Sequence, residues 1–245
     1  MGQAGQACVG TSVDLLGSFA LRHDGRRVPL PLSAQRLLAF LALRGGVLKR
    51  VYVAGTLWID QSQDAANASL RTTLWRLKRA PHPLIETTPT HLALAKGVTV
   101  DLHALIGLTQ HLDAGRLDAD LEEIMDAGEV LPDWYDEWVV IERERFRQVR
   151  LHALEALCDV LIDAGRYGRA IEAGLTAVAG EPLRESAHRI VMRAHLAEGN
   201  PSEALRQYEL CRRLLHDQLG FAPSVETERL RLQCVRRDVA VTAVR

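Results

Sequence analysis

Cysteine is scarce in this 245-residue chain, and the four present, Cys8, Cys158, Cys211 and Cys234, are scattered without a C-x-x-C pair. That spacing excludes the common structural zinc and dithiol redox motifs and suits small buried hydrophobes in a reducing compartment. Long apolar runs are missing too. No stretch approaches the roughly 18 uninterrupted apolar residues of a membrane span, and Met1 to Ser12 has neither a basic nor an apolar region of a signal peptide. No membrane partner is expected, and the cytoplasm is the expected location. The chain also lacks the Gly-x-x-x-x-Gly-Lys-Ser/Thr loop, Gly-x-Gly-x-x-Gly, His-Glu-x-x-His and Gly-x-Ser-x-Gly. Each is a local arrangement that a particular chemistry needs, so no catalytic, metal or cofactor site is assigned and a non-enzymatic function is expected.

One further absence is local. No Asp or Glu occurs between Asp64 and Glu86, a stretch that holds Arg71, Arg76, Lys78 and Arg79. The formal net charge of −1 conceals a wider asymmetry: residues 1–100 contain 12 Lys+Arg against 5 Asp+Glu, a balance of +7, and residues 101–245 contain 18 against 26, a balance of −8. A basic first part joined to an acidic second part is the distribution expected when only one of them meets a polyanion.

The apolar residues Val13, Leu15, Phe19 and Leu21, then His23-Asp-Gly-Arg-Arg and Val28, predict a hairpin. Pro29 and Pro31 stop it, and Ser33 can cap a helix running through Leu37, Leu38, Phe40 and Leu41 to Gly45-Gly46. A short helix is expected near Val51 to Trp58. The next helix, Asp64 to Arg79, can be capped by Ser62 or Asp64, and helical spacing gathers Ala66, Leu70, Leu74 and Leu77 in one core stripe. Ala68, Thr72, Trp75, Arg76 and Arg79 lie opposite, with Arg71 and Lys78 flanking. Four cations and hydroxyls without a carboxylate suit phosphates and base edges; a solvated basic face that binds nothing is the alternative. Pro81 and Pro83 end this helix, and Leu84 to Thr88 and His91 to Ala95 predict two short strands around Pro89-Thr90.

Strands, three helices and a terminal hairpin make a winged helix-turn-helix, an α+β unit. Residues 13–101 resemble the winged-helix output domain of bacterial response regulators, in the variant carried by the Streptomyces antibiotic regulatory protein family. The resemblance rests on Leu15-Leu-Gly-Ser-Phe, Gln35-Arg-Leu-Leu-Ala-Phe-Leu-Ala-Leu, Leu57-Trp58, Leu70-Arg-Thr-Thr-Leu-Trp-Arg-Leu-Lys-Arg and Val100-Asp-Leu. It implies that helix 64–79 enters the major groove, with Arg71, Thr72, Thr73, Trp75 and Arg76 at positions where the family meets DNA. Ser69 joins that set, and Lys78 and Arg79 are expected to clamp phosphates. The family's wing usually carries an arginine and a Gly-x-Gly-Tyr turn. This chain has Glu86-Thr-Thr-Pro-Thr-His-Leu instead, so any wing contact falls to Thr88, Thr90 and His91. Trp75 can either pack against the wing or touch DNA.

Beyond Asp101 the chain reads as helix almost throughout, broken at Gly115, Gly128, Pro132, Gly165, Glu181-Pro182, Gly199-Asn-Pro and Gly220-Phe-Ala-Pro. Ala164-Gly165 through Ala170-Ile171 aligns with Glu198-Gly199 through Ala204-Leu205 at an offset of 34 residues, the tetratricopeptide length. Two helical-hairpin repeats are therefore expected, with Ala170 and Ala204 allowing close helix approach and Gly165 and Gly199 serving the turns. Trp134, Tyr135 and Trp138 are assigned either to packing or to a docking patch, and Glu142 to Arg147 to a solvated, ion-paired face. Leu131 to Leu151, Pro182-Leu-Arg-Glu-Ser-Ala-His and Leu219-Gly-Phe-Ala-Pro-Ser-Val-Glu-Thr resemble the bacterial transcriptional activator domain that follows the winged helix in the same family.

The expected class is thus mainly α, a winged helix followed by an all-α tetratricopeptide-like domain. The expected divisions are an N-terminal segment 1–12, a DNA-binding domain 13–101, an activator domain 102–235 and a tail 236–245. The resemblance implies a transcriptional activator that binds direct repeats in double-stranded promoter DNA as a homodimer and contacts RNA polymerase holoenzyme. A repeat-type adaptor whose winged helix serves protein interaction is the alternative.

Overall fold

The computed structural model describes residues 10–80, 82–110 and 117–242. Cys8, Pro81, Gly115, most of the 1–12 segment and the last three residues lie outside them. The described residues fall into two compact units. One runs to Ile106 and includes Gly128–Phe146; the other comprises Gly107–Ala127 and the chain from Arg147 onward.

The first unit opens with three strands where the sequence predicts a two-stranded hairpin: β1 (Thr11–Asp14), β2 (Ala20–His23) and β3 (Arg26–Val28). The run of apolar residues from Val13 is cut because Gly17 adopts a φ of 84°, which reverses the chain and sets Val13 opposite Leu21. Asp24 and Gly25 both have positive φ, at 47° and 76°. That is the two-residue turn whose twist matches the strands it joins. A strand not foreseen, β7 (Val98–Val100), lies parallel to β1 and completes the order β3-β2-β1-β7.

Three helices sit between these strands. In α1 (Leu32–Arg44) every residue from Leu37 to Leu43 is buried, so it forms the centre of the core. Ser33 does not cap it. The helix starts two residues earlier, with Pro31 as N-cap and its carbonyl accepting from Ala34 and Gln35 N–H. α2 (Arg50–Leu57) and α3 (Gln63–Leu77) follow, and Ser62, not Asp64, caps α3 by accepting from Ala65 N–H. A second sheet has the order β4-β6-β5, from β4 (Leu48–Lys49), β5 (Ile85–Thr87) and β6 (His91–Leu94). This is the winged helix-turn-helix expected from the sequence.

Asp101, first residue of α4 (Asp101–Gln110), ties the end of β1 to that helix by accepting from the N–H groups of Leu15, Leu16 and Leu102. Burial pushes its carboxyl pKa up in spite of these donors.

Residues 128–146 add an aromatic layer to this unit. Trp134 stacks on Phe19 at 5.9 Å and Trp138 meets Phe40 edge-on at 5.1 Å, so both tryptophans pack, while Tyr135 stays 88% exposed. The charged run after them is no solvated face at its start. Glu142 is buried and pairs with Arg44 and Arg145, and Arg143 donates to the carbonyls of Val130, Leu131 and Trp134. These carbonyls belong to a loop in which Leu131 has a φ of 44°; three charge-assisted bonds compensate its irregular backbone.

The second unit is all helical: α5 (Leu117–Asp126), the later part of α6 (Glu137–Asp163), α7 (Tyr167–Gly180), α8 (Glu185–Glu198), α9 (Pro201–Leu219) and α10 (Val225–Thr242). Helices α7 and α9 start 34 residues apart, as the repeat predicts, whereas α9 is five residues longer than α7 and delays its partner α10. Gly165 and Gly199 take φ of 71° and 91° in the turns that precede α7 and α9. Ala170 and Ala204 are fully buried. Helices α7 and α8 pack closely at Gly174, where a Cβ would lie 2.7 Å from Val191 Cγ2 of α8. Glu185 at the start of α8 accepts from Ser224 N–H and the Ser224 and Thr227 hydroxyls, closing α8 onto the first turn of α10.

Candidate nucleic-acid interface

Helix α3 owes its two faces to spacing and composition together. Ala66, Leu70, Leu74 and Leu77 are buried, as the core stripe requires. Thr73 is buried with them, its hydroxyl donating to Ser69 O, so it leaves the candidate DNA-contact set. Three residues beyond Leu70, it already stands at the edge of the stripe, a signal present in the spacing.

The opposite face remains open. Arg71, Thr72, Trp75 and Arg76 are exposed on it, as are Lys78, the C-cap, and Arg79 in the turn beyond, because the helix ends at Leu77 and not at Arg79 as the sequence predicts. Trp75 is 54% exposed and does not pack into the core. Instead the Arg79 guanidinium lies 3.9 Å above its ring, a cation–π contact between residues one helical turn apart. Thr72 donates its hydroxyl to Ala68 O, which leaves its lone pairs outward. Ser69, half-buried, donates to Gln61 Oε1 in the loop before the helix.

The ion pairing of this face differs from that of the helical unit. Among the described residues, no ion pair engages Arg71, Arg76, Lys78 or Arg79. In the helical unit the cations are mostly matched: Arg169 with Glu122 and Glu172, Arg184 with Glu155, Arg193 with Asp159, Arg206 with Glu203, Arg212 with Glu209 and Arg231 with Glu228. Hydrogen bonds from Arg184 and Ser186 overcome the effect of burial on Glu155 and hold its carboxyl below the usual range. The one carboxylate of α3, Asp64, lies in its first turn, and none follows it before Glu86.

The wing is the β5–β6 hairpin, with Thr87 opposite Leu92. Its turn is pinned locally. Thr88 Oγ1 accepts from the N–H groups of Thr90 and His91, and Thr90 Oγ1 lies 2.8 Å from His91 Nδ1. Thr90 is exposed and His91 half-buried, so both stay in the candidate set. Two residues there escaped the sequence reading. Lys49 of β4 pairs in register with His91, while Arg50 donates its N–H to Thr90 O and its Nη1 to Thr88 O. Strand β4 is only two residues long, too short for an alternation pattern to reveal.

The carboxyl end of α3 meets the other edge of the wing. A cavity of about 390 Å³ lined by Leu74, Leu77, Lys78, Leu84, Ile85 and Thr87 separates them. Among the described residues no cluster of His, Cys, Asp and Glu could hold a metal ion, and no helix is long and apolar enough to cross a membrane.

Residues 110–234 match the family model of the bacterial transcriptional activator domain. The chain is 29% identical over 244 residues to the regulatory protein AfsR of Streptomyces coelicolor, covering 93% of this chain and 24% of that protein. It is 26% identical over 217 residues to AfsR of Streptomyces griseus, 82% of this chain and 22% of that protein. To the regulatory protein DnrI of Streptomyces peucetius it is 23% identical over 256 residues, 94% of this chain and 93% of DnrI. The chain therefore spans about a quarter of the two AfsR proteins and nearly all of DnrI. Among solved structures, Mycobacterium tuberculosis EmbR in complex with a low affinity phosphopeptide superposes with a TM-score of 0.73 at 22% identity, over 93% of this chain and 65% of that one. That likeness shows the fold.

Proposed function

Since the chain belongs to the Streptomyces antibiotic regulatory protein family, with its bacterial transcriptional activator domain, we propose that it is a transcriptional activator that reads promoter DNA through α3. The observation that carries this is the exposed stretch from Arg71 to Arg79, the last turns of α3 and the turn after it, with four cations, no carboxylate and no internal ion pair among the described residues. Four such groups left unpaired within nine residues do little for the fold, but a duplex supplies phosphates for them and base edges for a bidentate guanidinium. Arg71, Thr72 and Arg76 are assigned to base edges, Lys78 and Arg79 to phosphates, and Ser69, Trp75, Thr90 and His91 to the flanks.

The helical unit serves self-association on direct repeats or contact with RNA polymerase. Its stacked hairpins offer the extended surface that repeat folds use for protein partners.

Selection of duplexes from a random pool tests the proposal. The wild-type protein should enrich a repeated motif, and the repeat spacing reports how two copies sit. Arg76→Ala should cost about 1–3 kcal/mol on the selected site and relax one position, whereas Arg79→Ala should weaken all sequences alike. No enriched motif, with repeat-mediated protein binding intact, would favour an adaptor.

A further inference from the structure

The turn of the wing carries no lysine or arginine: from Ile85 to Leu94 the only Asp, Glu, Lys or Arg is Glu86. Cations nonetheless flank the three-stranded sheet on both sides, one from α3 and two from its own edge strand β4. Lys78 stands where the end of α3 borders β5. At the opposite edge β4 brings Lys49 into register with His91, and Arg50 follows it directly.

Two features make the β4 edge more than a surface charge. Arg50 is oriented, because its backbone N–H holds Thr90 O at 2.9 Å and its Nη1 holds Thr88 O at 3.3 Å. Those bonds use one guanidinium N–H of five, and among the described residues no other hydrogen bond engages the rest. Lys49 is exposed, and among the described residues neither it nor Arg50 has a carboxylate partner. Glu86, on the far strand of the sheet, pairs with Ala93, one residue further from the turn than Leu92. With neighbouring strands roughly 4.8 Å apart, β4 and β5 stand about 10 Å from each other, so the cations of the β4 edge are set two strands away from the strand that holds Glu86.

We infer that Lys49 and Arg50 form a phosphate-binding site at the wing, replacing the cation that the turn lacks, and that DNA bound by α3 runs across this edge. The inference rests on the DNA-binding role of α3. Arg50 both braces the turn and meets a phosphate; Lys49 meets a phosphate alone. Thr90 and His91, between the two edges, then lie against the backbone without having to supply charge.

Salt titration on a duplex selected by the wild-type protein separates this site from α3. Each phosphate contact adds about 0.9 to the slope of log affinity against log salt. Lys49→Gln should lower the slope by about 0.9 and the double variant Lys49→Ala/Arg50→Ala by about 1.8, with the ranking of duplex sequences unchanged. Lys49→Arg should keep the wild-type slope. Because Arg50 also braces the turn, Lys49→Gln is the cleaner variant. A wild-type slope in both Lys49→Gln and the double variant overturns the wing site and leaves α3 binding intact. A wild-type protein whose binding does not respond to salt overturns both.

Discussion

Replacing Trp75 by alanine tests whether the outward face of α3 is pre-organised or only charged. The Arg79 guanidinium sits 3.9 Å from the indole ring, and stacking uses its flat face while its N–H edges stay available to a phosphate. At an exposed site such a contact is worth about 0.5–1 kcal/mol. Ordering a long side chain on binding costs a further ~0.5–1.5 kcal/mol, a cost the stack has already met in the free protein. Trp75→Ala should therefore weaken DNA binding roughly 2- to 10-fold, with the fold kept, since the side chain is 54% exposed. The decisive assay is a double-mutant cycle with Arg79→Ala, read by binding to a selected duplex with circular dichroism as the fold control. The two residues should couple by about 0.5–1.5 kcal/mol, so that Arg79→Ala costs less once Trp75 is gone. Effects that add to within ~0.3 kcal/mol would refute the idea that the tryptophan positions the arginine.

Two further outcomes concern the helical unit. Gly174→Ala would press a methyl group to 2.7 Å from Val191 Cγ2. The clash should destabilise by about 1–3 kcal/mol, more than the ~1 kcal/mol that alanine gains in helix propensity, and a denaturant midpoint no lower than wild type would contradict it. Burial alone would raise the Glu185 carboxyl, but hydrogen bonds from Thr227 and Ser224 outweigh it and hold the pKa below its ordinary 4.5. A lowered folded pKa gives stability that is present above 4.5 and lost as pH falls through the folded value. Thermal midpoints should therefore drop on acidification below that point in the wild type and less steeply in Glu185→Gln, and equal slopes would rule Glu185 out.

Much of the fold was legible because its signals are local. The stripe Ala66, Leu70, Leu74 and Leu77 gave α3 and its core face, and the 34-residue offset between Gly165 and Gly199 gave the repeat turns, whose positive φ confirms them. What escaped notice depends on partners far away in sequence. β7 exists because it pairs with β1, whose Thr11 stands opposite Val98, whereas the packing of Trp134 and Trp138 is one of the two readings open in the sequence and is decided by residues 128–146 joining the first unit. Arg143 looked solvated in a charged run, yet the bend at Leu131 gave it three carbonyls to bind. At the candidate interface the cations of α3 were evident from composition. Lys49 and Arg50 were not, since only the β4–β6 pairing carries them to the wing.

The claim on which the rest depends is that the cations of α3 meet DNA. It is tested most directly by replacing Arg71, Arg76, Lys78 and Arg79 with glutamine in one protein and titrating salt on a duplex selected by the wild type. The slope of log affinity against log salt should fall by at least about 1.8, the share of the two phosphate clamps, and discrimination between selected and random duplexes should vanish. A variant that keeps the wild-type slope and still discriminates would contradict the assignment of α3 as the reading helix.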